Sequence, residues 1–282
     1  MTSPRLQRTR LCLCADDFGQ HPGVNNAVMQ LADSGRLHAV GLLVGAPAAQ
    51  AGAPALRRLA AHGIDVGLHL DLTEFPLLPG TRQPLGHWIT HAMLHQLDHT
   101  RLRHEIRAQL DAFESALGQA PTFVDGHQHV HQLPGVRHAL LDALLERYAT
   151  ALPWLRCTRA VGWQGMGAAA RWKALCIEWL GGHGLSTAAR RHGFAQNRSL
   201  LGVYDFQGGP ARYQGLMRRW LGAAQDGDLL MCHPGLPDAG ADPLGSARAA
   251  EFQVLAGTGF ADLLRDSGVL LQPMRQILAN TL

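Results

Sequence analysis

A chain of 282 residues with 46% hydrophobic side chains is long and apolar enough to bury a sizeable core, and it fits one α/β domain over 1–282. A formal net charge of only +3, with no Lys/Arg block and no aromatic-basic stripe, lacks the footprint of a nucleic-acid binder. Lys173 is the only lysine, so a Schiff base has one residue to rest on, and the five cysteines are odd in number and lack the CxxC spacing of redox motifs or zinc ribbons.

Residues 1–10 are polar and basic, and are expected to be flexible. The apolar run after them ends at Asp16, too short for a signal h-region or a membrane span, so a cytoplasmic location and no transmembrane segment are expected. Strand-length apolar runs then alternate with stretches of helical period, the pattern of repeated βα units on a parallel sheet. Leu11 to Ala15 reads as the first strand, with Cys12 and Cys14 as small buried hydrophobes. Val24 to Ala32 is helical, Val40 to Val44 a strand, Pro54 to Ala61 a short helix, and Ile64 to Leu70 a strand that delivers His69 near its end.

Thr73 to Gly86 carries Pro76, Pro79, Gly80 and Pro84 and is expected to be a long loop, of the kind that often serves as a lid. Arg101 to Leu117 is a helix stopped by Gly118, Thr122 to Val124 a short strand, Pro134 to Tyr148 a helix, and Trp154 to Cys157 a strand. The stretch 160–200 is mixed and is expected to be an insertion or cover, with helical patches at Ala168 to Leu180 and Ser186 to His192. Arg212 to Ala224 follows as a helix, Asp228 to Cys232 as a strand, a helix from Ser246, and a strand at Val269 to Leu271. Polar words at the strand ends suit a β/α barrel with its site at the C-terminal rim.

Those words carry the chemistry. Asp16 and Asp17 point opposite ways within a strand but can share a cleft at a strand-to-turn transition; the simpler alternative is a helix cap. His127, His129 and His131 alternate after Asp125 and would share one face unless a turn splits them. With His69 and His233 also at strand ends, the set offers mixed nitrogen and oxygen ligands for a divalent cation and a spare carboxylate for proton transfer. His21 lies just after the Asp pair, where it can approach substrate. His87, His91, His95 and His99, spaced by four, could line one helix, but only Asp98 accompanies them and an exposed polar face is the expectation. Most of Trp154, Trp163, Trp172 and Trp179 are expected in the core, with stacking on a sugar or contact with a lipid as the alternative.

Four words in order, Ala15-Asp16-Asp17-Phe18-Gly19, Gly67-Leu68-His69-Leu70-Asp71-Leu72-Thr73, Pro121 to His131, and Met231-Cys232-His233-Pro234-Gly235, resemble the YdjC-like carbohydrate deacetylases, the ChbG/HpnK group. The resemblance runs from residue 11 to about 240. It implies a modified β/α barrel that removes the acetyl group from an N-acetylated sugar, oligosaccharide or glycolipid, with one bound divalent metal, Mg or Zn. It also implies Asp17, His69 and His127 as metal ligands and Asp16 as base. A looser similarity to NodB-type polysaccharide deacetylases implies His233 as the acid for the leaving amine. Asp125, His129, His131 and His21 would stand behind the ligands or face substrate, and a homodimer is the expected assembly. The chain departs from the family pattern at Gln20-His21-Pro22, at Glu74-Phe75 where a Gly is common, and at Leu37-His38-Ala39-Val40, which bears on substrate rather than metal. Two other classes compete: a multi-metal barrel phosphoesterase or amidohydrolase, whose His-x-His word would open the first strand, and a sugar-binding relic, which would have lost a ligand or the base.

Overall fold

The computed structural model describes residues 8–159, 178–237 and 242–280. Eight strands form one curled, wholly parallel sheet in the order β5-β4-β3-β2-β1-β7-β6, with β8 also pairing β1. They are β1 (Thr9–Phe18), β2 (Ala39–Leu42), β3 (Asp65–Leu70), β4 (Phe123–Gly126), β5 (Trp154–Leu155), β6 (Leu200–Leu201), β7 (Asp228–Cys232) and β8 (Val269–Leu271). Helices flank it: α1 (Pro22–Asp33), α2 (Ala49–Ala61), α3 (Leu85–Met93), α4 (His99–Leu117), α5 (Val136–Tyr148), α6 (His183–Arg191), α7 (Gly209–Ala223), α8 (Gly245–Ala256), α9 (Thr258–Asp266) and α10 (Met274–Ala279). The outer strands β5 and β6 are linked by irregular backbone, with Leu155 bridging Gln196 and Leu200 N–H donating to Arg159 O. The result is a modified β/α barrel.

Strands covered on both faces are apolar without alternation, which is why β1, β3 and β7 are buried along nearly their whole length. The sheet begins earlier than expected, at Thr9, because Thr9 to Leu11 pair with Val269 to Leu271 of β8; Arg10 is tied besides to Asp226 by a fork of hydrogen bonds (2.9 Å from both its backbone N and Nε to Oδ1). The helix expected from Pro54 begins earlier, at Ala49, and Pro54 lies inside α2. The helix α3 occupies the end of the expected loop, and α9 and α10 are additional. The His87 to His99 series does not share a helix: His95 has a left-handed φ of 55° between α3 and α4. Trp154 stacks on Phe123 in the core, ring centroids 4.4 Å apart, whereas Trp179 is 83% exposed; Trp163, Trp172, Lys173 and Cys176 lie outside the described residues. Among the described residues no helix is long and apolar enough to cross a membrane.

At the opposite end of the barrel from the polar words, Asp65 is buried and accepts hydrogen bonds from Trp154 Nε1 (3.1 Å) and Arg275 N (2.9 Å). Burial pushes its carboxyl up to about 6 despite these donors and the Arg275 guanidinium. A folded value above the unfolded one means that the contribution is present below about pH 4 and is lost as pH rises through about 6, a loss on the order of 3 kcal/mol. Asp65→Asn cannot ionise. Between pH 4.5 and 7.5 its melting temperature should therefore gain on the parent's by several degrees, and parallel pH profiles from thermal melts would contradict the assignment.

Candidate active site

The strand ends bring the predicted words together. Near its C-terminus β1 slips register against β2 between Ala15 and Phe18, and Asp17 takes a left-handed φ of 65°. Strand alternation would send Asp16 and Asp17 to opposite faces; this irregularity turns both into one cleft. A non-glycine residue in that region costs about 1–2 kcal/mol, and such strain gathers at functional sites. The same device splits the histidine triplet. Gln128 and His129 are both left-handed (φ 51° and 61°) within a 3-10 turn over His127–Gln132, so His127 meets Asp17, His129 lines the cleft, and His131 turns beneath to Arg156 O at 3.1 Å.

Asp17 Oδ1 is the hub. It lies 3.0 Å from His127 Nδ1 and 3.4 Å from His69 Nε2. Ligand atoms of these three buried residues lie within 4.8 Å of one another. A metal bonded at about 2.0–2.2 Å to such donors would space them about 3 to 3.5 Å apart, so the residues fit a divalent ion. The outer nitrogen of His69, Nδ1, meets Asp125 Oδ1 at 2.7 Å, the carboxylate–histidine pairing that orients a ligand and raises its basicity. Burial by itself would lower His69, but Asp125, Asp16 and Asp17 push it up to about 10, and Asp17 raises His127 likewise. A cation bound between them would compete with protons for these nitrogens.

Asp16, Asp125 and His69 form a second acidic cluster, and there an arginine supplies the positive charge. Arg156, fully buried just beyond β5, donates to Asp16 Oδ2 and Oδ1 (2.6 Å each) and pairs with Asp125 Oδ2 (2.6 Å). Burial would raise Asp16, but Arg156 outweighs it and holds this carboxyl well below the usual range. On the other flank His233 follows β7, with Nε2 3.9 Å from Asp16 Oδ2; its backbone N–H donates to Glu251 Oε2 (2.6 Å), and Glu251 also accepts from Tyr204 Oη (2.6 Å). Arg248 of α8, buried, donates to Asp17 Oδ2 (2.8 Å) and Asp242 Oδ2 (2.7 Å). His21 Nε2 lies 3.2 Å from that same Asp242 oxygen.

Asp16, Asp17, His69, His127, His233 and Arg248 line a cavity of about 840 Å³ with apolar walls that include Phe75, Leu85, Tyr204, Phe206 and Leu244. One wall is the loop after β3, and it is pinned rather than hinged. Asp71 accepts N–H bonds from Thr73 (2.7 Å), Glu74 (3.2 Å) and Phe75 (2.6 Å), and buried Glu105 of α4 accepts from Leu77 (2.7 Å) and Leu78 (2.8 Å). Gly45 is required beside it, since a Cβ there would sit 1.9 Å from Phe75 O. Sequence reasoning missed Arg156, Arg248, Glu251 and Glu105. Arg156 left a signal, a lone charge inside the apolar run Leu152 to Cys157, which must find a partner if buried. Arg248 and Glu251 are one helical turn apart among alanines and leucines, which places both charges on the buried face of α8.

The fold and the donor set define a barrel hydrolase with a candidate mononuclear metal centre at the C-terminal rim of its strands. The family model described as YdjC-like protein matches residues 10–266, and the chain belongs to that family. It is 32% identical over 259 residues to a human carbohydrate deacetylase, covering 84% of this chain and 77% of that one. To a chitooligosaccharide deacetylase of Serratia marcescens it is 30% identical over 150 residues, 51% of this chain and 57% of that protein's length. The backbone resembles a solved protein of Enterococcus faecalis (17% identity, TM-score 0.67, 96% of this chain and 100% of that one). It also resembles the Bc1960 peptidoglycan N-acetylglucosamine deacetylase (13% identity, TM-score 0.51, 96% and 89%), a likeness of fold.

Proposed function

We propose that this chain is a metal-dependent carbohydrate N-deacetylase that hydrolyses the acetamide of an N-acetylated sugar, a glycan or a glycolipid head group, and releases acetate. The observation that carries the reading is the Asp17, His69 and His127 cluster on the floor of a cavity that also presents Asp16 and His233. The names of the relatives, carbohydrate and chitooligosaccharide deacetylase, support the same substrate class. Asp17, His69 and His127 would hold one divalent cation, and two imidazoles with one carboxylate suit zinc better than magnesium, which prefers more oxygens. When bound, such a cation acidifies water and polarises an amide carbonyl. Arg156 fills the neighbouring acidic cluster, which disfavours the multi-metal alternative. The reading takes 1–282 as one domain, and a homodimer and a cytoplasmic location as its setting; of the expected insertion or cover at 160–200, residues 160–177 lie outside the described residues.

The chain's own groups then divide the proton work. Asp16 is placed to accept the proton of the attacking water; Arg156 holds it ionised and positioned, and in doing so lowers its basicity. His233 gives a proton from Nε2 to the nitrogen as the C–N bond breaks, so that a neutral amine departs. Glu251 fixes the His233 backbone, and Phe206 meets the imidazole edge-on at 5.2 Å. The apolar and aromatic walls cover the sugar faces and keep bulk water out. Purified protein supplied with Zn²⁺ or Mg²⁺ should release acetate from an N-acetylglucosamine-containing glycan or glycolipid. No release across a broad panel of both would overturn the reading.

A further inference from the structure

His69 and His127 are wired alike. Each turns one ring nitrogen toward Asp17 Oδ1, and each has a carboxylate at the other: Asp125 at 2.7 Å from His69 Nδ1, and Glu74 Oε1 at 3.2 Å from His127 Nε2. That Nε2 is buried and has no well-aligned hydrogen bond within the protein, so Glu74 is its nearest negative charge. The two carboxylates differ in their setting. Asp125 is sealed in β4 and held by Arg156, whereas the Glu74 side chain is 33% exposed on the cavity wall and, among the described residues, faces His127 and, at 3.4 Å, Gln128 Nε2.

We infer that Glu74 is a positioning residue that sets the orientation and basicity of His127, and so tunes this chain's grip on its cation from the substrate side of the cavity. The inference rests on the proposed metal centre. A carboxylate beside the outer nitrogen of a metal-bound imidazole fixes the ring and strengthens the nitrogen as a donor, typically by 10–100-fold in metal affinity. Asp71 and Glu105 provide the accuracy: they hold the backbone at Glu74, Phe75, Leu77 and Leu78 without using the Glu74 side chain. The loop therefore keeps its course when that side chain is cut back. Because Glu74 lines the cavity, a sugar covering it would displace water and strengthen its attraction to His127.

The test is a competition titration of Zn²⁺ against a chromophoric chelator, for the parent, Glu74→Ala and Glu74→Gln, with thermal melts of the metal-free proteins beside it. The expected result is a Zn²⁺ dissociation constant about 10- to 100-fold higher for Glu74→Ala and an intermediate value for Glu74→Gln, with metal-free melting temperatures close to the parent's. A parent that binds Zn²⁺ and a Glu74→Ala variant within twofold of it would overturn this inference and leave the metal centre standing. A parent that binds no Zn²⁺ would overturn both.

Discussion

Asp17→Ala is expected to abolish metal binding and to lower acetate release by about 10³-fold or more, since the several kcal/mol a cation supplies convert at about 1.4 kcal/mol per decade. The size follows from geometry. Asp17 Oδ1 lies near both imidazoles, and Oδ2 is held by Arg248, which fixes the carboxylate between them. Its loss leaves His69 and His127 without the charge that draws them together, and leaves Arg248 with Asp242 and Gln20 as partners. Metal content by elemental mass spectrometry and acetate by a coupled assay check both halves. A variant that keeps a full equivalent of metal would remove Asp17 from the ligand set.

Asp16→Asn should separate proton transfer from metal binding. The amide is close in shape but cannot take a proton, so kcat should fall by about 10²–10⁴-fold, while KM and metal content stay near the parent's. The variant also exchanges a charged acceptor for a neutral one beside fully buried Arg156, which costs about 1–3 kcal/mol of stability. Asp125, 2.6 Å from the same guanidinium, keeps that arginine from being left as an unpaired buried charge, and the protein folds. If kcat stays within a few fold of the parent's, Asp16 only anchors Arg156 and the base lies elsewhere. The contrast is diagnostic: neighbouring aspartates, one change losing the metal and the other losing turnover with the metal in place.

Much of the barrel was legible because its signals are local. An apolar run of strand length followed by a polar word marks a buried strand and the rim where its backbone leaves the sheet, and β7 and β8 fall at the predicted residues. The strand β6 is only two residues, too short for a period to declare itself, and α3 lay hidden behind the proline-rich loop. The lid expectation for that loop yields to two buried carboxylates that pin its backbone, Asp71 locally and Glu105 from 28 residues further along the chain.

By itself the sequence determined the strand-end placement of Asp16, Asp17, His69, His127 and His233, and with it the kind of chemistry they could support, because both are properties of short words. The tertiary structure decided which atoms meet. The Arg156–Asp16 pair spans 140 residues and the Arg248–Asp17 pair 231, and no local pattern encodes a partner at such distance. It also decided the direction of adjacent side chains: the irregularity at Asp17 and the left-handed Gln128 and His129 override the alternation that the residues alone imply. Such strained backbone is held by the packing around it, which is why it appears only once the fold has formed.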